Sequence, residues 1–255
     1  MKSLGESLYP GRRMLGKTTM SDDDRHGRGI ELAELTFPGL LEREGASAGA
    51  LVAHLARVHS ALVNERAAAP DLAAELLAET PERSSELARR EPRFHTWGLC
   101  ELLLSRGLAA AELDPPAAGR LAFLTLAVAE HLDLSRHAAA VVADLQARTW
   151  GCLVSARLSG GDLAGAEEAL RTAASNLACG TGDLLVEGNL LEHEASVRQA
   201  QGRLSEAAAL LKQAASRYRE IGDADLLARA QRKRELTLRA SGLSAPARVS
   251  FPPNS

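Results

Sequence analysis

The chain has 255 residues, of which 45% are hydrophobic but only 3% aromatic, so Ala, Leu and Val carry most of its apolar content. Ala and Leu favour helices, whereas sheets favour aromatic and β-branched side chains. The 30 basic and 33 acidic residues leave a formal net charge of -3, which excludes a strong overall attraction to a nucleic-acid backbone or an anionic membrane. We therefore expect an all-α protein for which nucleic acid is not the partner.

The cysteines and the apolar segments indicate the compartment. Cys100, Cys152 and Cys179 lie far apart in apolar helical sequence, which predicts buried thiols in a reducing environment rather than disulfides. No stretch is long and apolar enough to span a bilayer, and no apolar core follows the basic residues near the start, as a signal peptide would require. We predict a cytoplasmic protein that has no membrane partner.

The first part of the chain lacks sustained helical periodicity. Residues 1–29 are polar and rich in glycine, and the apolar segment Ile30–Leu41 contains Pro38, so it predicts at most a brief helix. Gly45–Gly49 follows as a linker. We predict that residues 1–47 form a disordered or weakly structured leader.

Helical periodicity begins near Ala50 and defines a predicted helical region over residues 48–112. Spacings of four, three and four residues place one set of side chains on a single helix face. These are Leu51, Leu55, Val58 and Leu62. Pro70-Asp71 predicts the start of a second helix, and Thr80-Pro81-Glu82 predicts a third, with a capping hydroxyl, a proline in the first turn and an acid near the positive end of the dipole. Pro92 separates it from a helix that holds Phe94 and Trp97.

The second half is more regular. Asp114-Pro115-Pro116 precedes a long helix that runs through Ala129, and glycine-containing breaks then divide the sequence into helical segments of roughly 15–20 residues. The breaks are at residues 160–162, 180–183, 202 and 222–223. This pattern predicts antiparallel helix pairs joined by tight turns. The proline-rich residues 244–255 are predicted to be a flexible tail.

An internal repeat is the strongest pattern in the sequence. Three triplets share a small residue, a large apolar residue four positions on, and a small residue three positions further. They are Ala122, Leu126 and Ala129; Ala166, Leu170 and Ala173; and Ala207, Leu211 and Ala214. A small residue lets a neighbouring helix approach closely, while the large one fills the groove beside it. Because a helix pair cannot bury its apolar face alone, such pairs are expected to stack and share a core.

At these positions the chain resembles the tetratricopeptide repeat (TPR) family, whose pattern is Trp-x2-Leu-Gly-x2-Tyr, then Gly, then Ala-x3-Phe-x2-Ala. The matching residues are Trp150, Leu153, Gly161, Ala166, Leu170 and Ala173 in one copy, and Leu191, Ala195, Gly202, Ala207, Leu211 and Ala214 in the next. Val154 and Arg157 depart from the family's Gly and Tyr positions, and in the next copy Glu194 and Arg198 do not fit the pattern. The resemblance implies an α-α superhelix, a right-handed solenoid of antiparallel TPR-like helix pairs, over residues 113–243.

In TPR proteins the first helices of successive pairs line a concave groove that accepts a peptide or a partner helix. The resemblance therefore implies a non-catalytic protein–protein interaction module. The partner-binding residues carried over from the family are Arg148, Ser155, Asn189, Glu192, Ser196, Gln199 and Arg232. The chain is also similar to uncharacterised bacterial repeat proteins that carry an anti-sigma-like zinc segment. This similarity implies an alternative, a regulatory protein of bacterial transcription or signalling.

Other residue clusters contain groups that can bind metals or take part in catalysis. His131 and His137 flank Asp133 but are expected in a surface turn, and Glu192-His193-Glu194 lacks the spacing of a zinc hydrolase and is predicted to be a solvated helix face. No convergent acid, base and nucleophile is present. We predict no catalytic residue, no cofactor and no metal site, and therefore no enzyme.

Two further features of the sequence are a cluster of basic residues and a pair of tryptophans. The basic run Arg232-Lys233-Arg234, with Arg229 and Arg239, is the best candidate for an anionic partner, although a terminal helix often carries such charges for solubility. Trp97 and Trp150 occupy apolar positions at helical spacing and are expected to pack in the core.

Overall fold

The computed structural model describes residues 48–242, and every regular element within that range is helical. The α-helices are α1 (Ala48–Ala78), α2 (Pro81–Arg90), α3 (Trp97–Ala110), α4 (Pro115–Ala129), α5 (Ala139–Ser159), α6 (Leu163–Ala178), α7 (Leu184–Ala200), α8 (Leu204–Ile221) and α9 (Ala224–Ala240). The prediction of an all-α protein is confirmed. The predicted leader (residues 1–47), its apolar segment Ile30–Leu41 and the predicted tail (residues 244–255) lie outside the described residues.

Local sequence signals set most helix starts. Thr80 accepts a hydrogen bond from the backbone N–H of Arg83 at 3.3 Å, and Asp114 accepts one from Ala117 at 3.1 Å. Asp162, Asp183 and Asp223 cap α6, α7 and α9 in the same manner. A side-chain oxygen at this position satisfies one of the free N–H groups of the first turn. The starts predicted at these five residues are confirmed.

The break predicted at Pro70-Asp71 is wrong, because α1 continues through Pro70 to Ala78. A proline removes one helical hydrogen bond and crowds the preceding turn. Here the proline is exposed, so the carbonyl that loses its partner can bind water, while Ala69, Ala73 and Leu76 are buried on either side of it. Packing therefore holds the helix together across the proline.

The helix predicted to follow Pro92 and to hold Phe94 and Trp97 begins later than expected. Phe94 lies in a 3-10 turn (Pro92–Phe94), and α3 begins at Trp97.

The helices pack on their neighbours in chain order. Each of α3 to α8 packs on the helix that follows it, and several pack also on the next but one: α1 on α3, α2 on α4, α3 on α5 and α5 on α7. The repeat triplets lie in α4, α6 and α8, and their first alanines, Ala122, Ala166 and Ala207, are fully buried. The predicted burial of the repeat positions is confirmed, and it explains how consecutive helices approach one another closely.

Glycine turns join α5 to α6 and α7 to α8. Gly161 and Gly202, the glycines of the repeat pattern, have φ angles of 79° and 74°. This left-handed conformation is strained for residues with a Cβ, so glycine is favoured there. Within the described residues no helix is both long and apolar enough to cross a membrane.

Candidate partner-binding face

Polar side chains join the first helices α5, α7 and α9. Ser155 Oγ on α5 lies 3.1 Å from His193 Nδ1 on α7, and Gln199 Nε2 on α7 donates a hydrogen bond to Thr237 Oγ1 on α9 at 2.6 Å. These bonds link helices that the repeat pattern separates by one intervening helix. The three first helices are therefore fixed in a row, with α7 in the middle.

Glu192 is the centre of the strongest of these links. The residue is 4% exposed, and its carboxylate accepts hydrogen bonds from the Tyr218 hydroxyl (2.9 Å), Arg229 (2.9 Å) and Lys233 Nζ (2.7 Å). The Tyr218 hydroxyl also lies 3.0 Å from Asn189 Oδ1. One buried anion thus holds α7, α8 and α9 together, with two cations and a phenol around it.

The electrostatics of this cluster keep Glu192 ionised. Burial raises the pKa of Glu192, but the hydrogen bonds and charges of Lys233 and Arg229 outweigh burial and hold the pKa below its ordinary value. Burial and the neighbouring carboxylate raise the pKa of Tyr218, so the phenol stays protonated. At neutral pH the cluster is an ion pair supported by a hydroxyl donor.

The prediction that Glu192-His193-Glu194 forms a solvated helix face is wrong. Glu192 and Glu194 are 4% and 1% exposed, and His193 is partly buried. The reason is the position of α7, which packs on α5, α6 and α8 and is bonded to α9, so the sides that carry Glu192 and Glu194 are covered. Charge alone could not reveal this, because a buried carboxylate and an exposed one read alike in sequence.

The departures from the TPR pattern form contacts of their own. Glu194 and Arg198, which stand at the family's Leu and Tyr positions, make an ion pair at 2.9 Å in which both side chains are largely buried. In the preceding copy Arg157 Nη1 donates to the carbonyl oxygen of Gly165 at 2.5 Å. Burial raises the pKa of Glu194, which Arg198 partly offsets. Opposite charges four residues apart were the sequence signal for this pair.

His193 fills the space between α5 and α7. A Cβ added at Gly151 would lie 2.8 Å from His193 Cδ2, so any larger residue there would require the imidazole to shift. Burial lowers the pKa of His193 to about 4, so the ring is neutral at neutral pH. A hydroxyl beside an imidazole is also the arrangement of a nucleophile and its base. A base with a pKa of about 4 is weak at neutral pH, which favours a structural role for the Ser155–His193 pair.

The titration of His193 gives a test of its burial. Below pH 6.5 the unfolded chain protonates this histidine while the folded chain does not, so stability falls as the pH falls towards 4. We expect this loss to reach about 3 kcal/mol, since each pKa unit corresponds to about 1.4 kcal/mol. His193→Asn should remove the contribution. Urea unfolding of both proteins at several pH values measures this contribution. If the free energy of unfolding depends on pH equally in the two proteins, the burial of His193 is contradicted.

The seven residues predicted to bind a partner fall into two groups. Ser155, Asn189, Glu192, Ser196 and Gln199 all make internal hydrogen bonds; Ser196 Oγ donates to the Glu192 carbonyl of its own helix. Arg148 on α5 and Arg232 on α9 are exposed. The structure thus makes four of the first group links between helices, keeps Ser196 bonded within α7, and leaves Arg148 and Arg232 facing solvent. Their role in binding a partner stays a prediction.

The basic run on α9 is divided in the same way. Arg229 and Lys233 have half-exposed side chains but are paired with Glu192, and Arg239 is paired with Glu235. Two cations share one buried anion, so this part of α9 keeps a positive excess beside exposed Arg232.

Tyr218 and Thr237 bond to predicted partner-binding residues, and they are the two contributors that sequence reasoning missed. One available signal was Gly188, since a glycine inside a helical segment indicates that another group approaches closely. In the structure a Cβ there would lie 2.7 Å from Tyr218 Cε1.

The histidines at the turn between α4 and α5 pack on aromatic neighbours. The His131 ring stacks on His95 with centroids 4.8 Å apart, and the His137 ring stacks on Trp97 at 5.2 Å. Both histidines lie at the predicted turn. Throughout residues 48–242, no group of three or more His, Cys, Asp and Glu side chains could hold a metal ion.

The cysteines differ in exposure. Cys100 and Cys152 are buried as predicted, whereas Cys179 is exposed, so the prediction for Cys179 is wrong. Cys179 follows the last turn of α6, where Ala178 and Thr181 are exposed as well. Burial raises the pKa of Cys152 to about 11 and raises that of Cys100 further.

We expect one fast-reacting thiol in the native protein. Cys179 should react with a maleimide or a disulfide reagent at an ordinary rate, while Cys100 and Cys152 should react only after unfolding, because the thiolate is the reactive form and both are buried. Peptide mapping after brief labelling identifies the site. Rapid labelling of Cys100 in the native state would contradict the packing of α3.

Comparison of the chain with protein-family models, with curated proteins and with solved structures finds no match. The TPR pattern is therefore a resemblance carried by the residues themselves.

Proposed function

We propose that this chain is a non-catalytic protein–protein interaction module, in which TPR-like helix pairs stack as a right-handed α-α superhelix and bind a peptide or a partner helix. The proposal rests on the order of packing. When helices contact mainly the next and next-but-one helix along the chain, the first helices of successive pairs form one continuous surface. Such surfaces are large enough to receive an extended peptide or a helix.

The observation that carries the proposal is the row formed by α5, α7 and α9. The bonds Ser155–His193, Glu192–Lys233 and Gln199–Thr237 connect these helices directly. A surface that is rigid before binding loses less conformational entropy when a partner arrives. In this proposal Glu192 and its neighbours support the surface, while exposed Arg148 and Arg232 contact the partner. Their charge favours a partner that presents acidic groups.

Affinity capture from an extract of the source cells tests the proposal. The wild-type protein is compared with Arg148→Glu/Arg232→Glu, and with the control Arg171→Glu/Arg219→Glu, whose arginines are exposed on the second helices α6 and α8. We expect proteins that the wild type and the control retain and the first variant loses. Recovery of the same proteins by all three would contradict the assigned face. A sigma factor or polymerase among the proteins lost would favour the regulatory alternative.

A further inference from the structure

The first half of α1 carries an uncovered apolar stripe. Its members are Val52, Leu55, Val58 and Val63, which are 64%, 47%, 49% and 47% exposed. On a helix of 3.6 residues per turn these four positions fall within an arc of about 140°. They therefore form one face rather than scattered surface residues, and a contiguous apolar face on a helix marks a site of contact.

The second half of α1, in contrast, is anchored to the rest of the fold. The Glu65 carboxylate accepts from the backbone N–H of Trp97 at 2.9 Å and pairs with Arg136 at 2.8 Å, and Arg66 pairs with Glu101 at 2.7 Å. A Cβ at Gly98 would lie 2.6 Å from the Glu65 backbone, so α3 meets α1 at this point. Buried side chains in α1 begin at Ala69 among those described. The stripe lies on the part of α1 that precedes this anchor.

We propose that residues 30–41 of this same chain dock on the apolar stripe of α1. This segment contains Ile30, Leu32, Leu35, Phe37, Leu40 and Leu41. Six residues separate it from Ala48, the first residue of α1. Extended, a linker of this length spans about 20 Å, roughly twice the 8–10 Å between packed helices. The segment can therefore turn back along α1, and its tethering gives it a high effective concentration over a free competitor.

The charges of the two segments are compatible with the same occupant. Residues 48–64 contain no Asp or Glu but include Arg57, His54 and His59. Residues 30–44 contain four glutamates and one arginine, so they carry a formal charge of -3. Residues 48–64 therefore hold no carboxylate that would repel this acidic segment, and its apolar side chains can be buried against the stripe.

Hydrogen exchange on the full-length protein tests the docking. The wild type is compared with Leu35→Asn/Leu40→Asn and with the control Leu113→Asn/Leu134→Asn, whose leucines are 89% and 60% exposed elsewhere in the fold. If the segment covers the stripe, amides of residues 53–63 should exchange about tenfold faster in the first variant and be unchanged in the control. Amides of α5 serve as the internal reference for intact folding, and light scattering gives the mass of each protein.

Three outcomes would overturn the proposal. One is rapid exchange at residues 53–63 in the wild type, which would mean that nothing in the chain covers the stripe. Another is protection that persists in the Leu35→Asn/Leu40→Asn variant. The third is protection that disappears on dilution together with a dimer mass, which would identify a second copy as the occupant.

Discussion

Replacing Gly98 with alanine is expected to lower the free energy of unfolding by about 3 kcal/mol, because an added side-chain atom would meet backbone and not a flexible side chain. The new Cβ would lie 2.6 Å from the Glu65 carbonyl carbon and 2.7 Å from the Arg66 nitrogen. The α1 and α3 helices would have to separate, which would also strain the bonds that Glu65 makes to the first turn of α3. Urea unfolding followed by circular dichroism measures the change.

Gly119 provides the matched control for this substitution. It also lies in a helix, α4, but a Cβ there meets nothing within 4 Å. Gly119→Ala should therefore stabilise the protein by about 0.5–1 kcal/mol, since alanine restricts the unfolded chain and favours the helix. If both substitutions stabilise the protein, the close approach of α1 to α3 is wrong.

Replacing Glu192 with alanine should also cost about 3 kcal/mol, because it removes a buried anion that binds three donors and leaves a cavity between three helices. The cations Arg229 and Lys233 are about half exposed and can be rehydrated, which keeps the cost below that of a fully buried pair. Thermal or urea unfolding of the variant at neutral pH measures this loss.

The control is Glu235→Ala, which removes the exposed pair with Arg239 and should cost less than about 1 kcal/mol. The pH dependence gives a second check. Because the folded pKa of Glu192 lies below its ordinary value of 4.5, its contribution is complete above pH 4.5 and is lost as the pH falls through the folded pKa. The difference in the free energy of unfolding between the wild type and Glu192→Ala should therefore become smaller as the solution is made acidic. Equal costs for the two glutamates would show that Glu192 is not buried.

Much of the fold could be predicted from local chemistry. Thr80, Asp114 and the aspartates after the glycine turns begin helices because their side chains satisfy free N–H groups, a requirement that depends on only a few neighbouring residues. The repeat alanines were predictable for a similar reason, since periodic small residues indicate close helix packing. Pro70 was misread because tertiary packing on both sides of it outweighs a local break.

The candidate site could be predicted less well. The TPR resemblance placed Glu192, Ser155 and Gln199 on a binding surface, but these residues bond to His193, Tyr218, Lys233 and Thr237, which lie 26 to 41 residues away in sequence. Long-range pairing of this kind follows from how helices are placed, and the periodicity of one helix does not contain it. Cys179 illustrates the same limit, because its apolar neighbours suggested burial while its position at the end of α6 exposes it.

The most direct test of the proposed function is hydrogen exchange of this protein with and without a partner obtained by the capture experiment. The account predicts that binding slows exchange in α5, α7 and α9, on the row that contains Arg148 and Arg232, and leaves α4, α6 and α8 largely unchanged. Protection confined to α6 and α8, or spread evenly over all the helices, would contradict the assignment of the first helices as the binding surface.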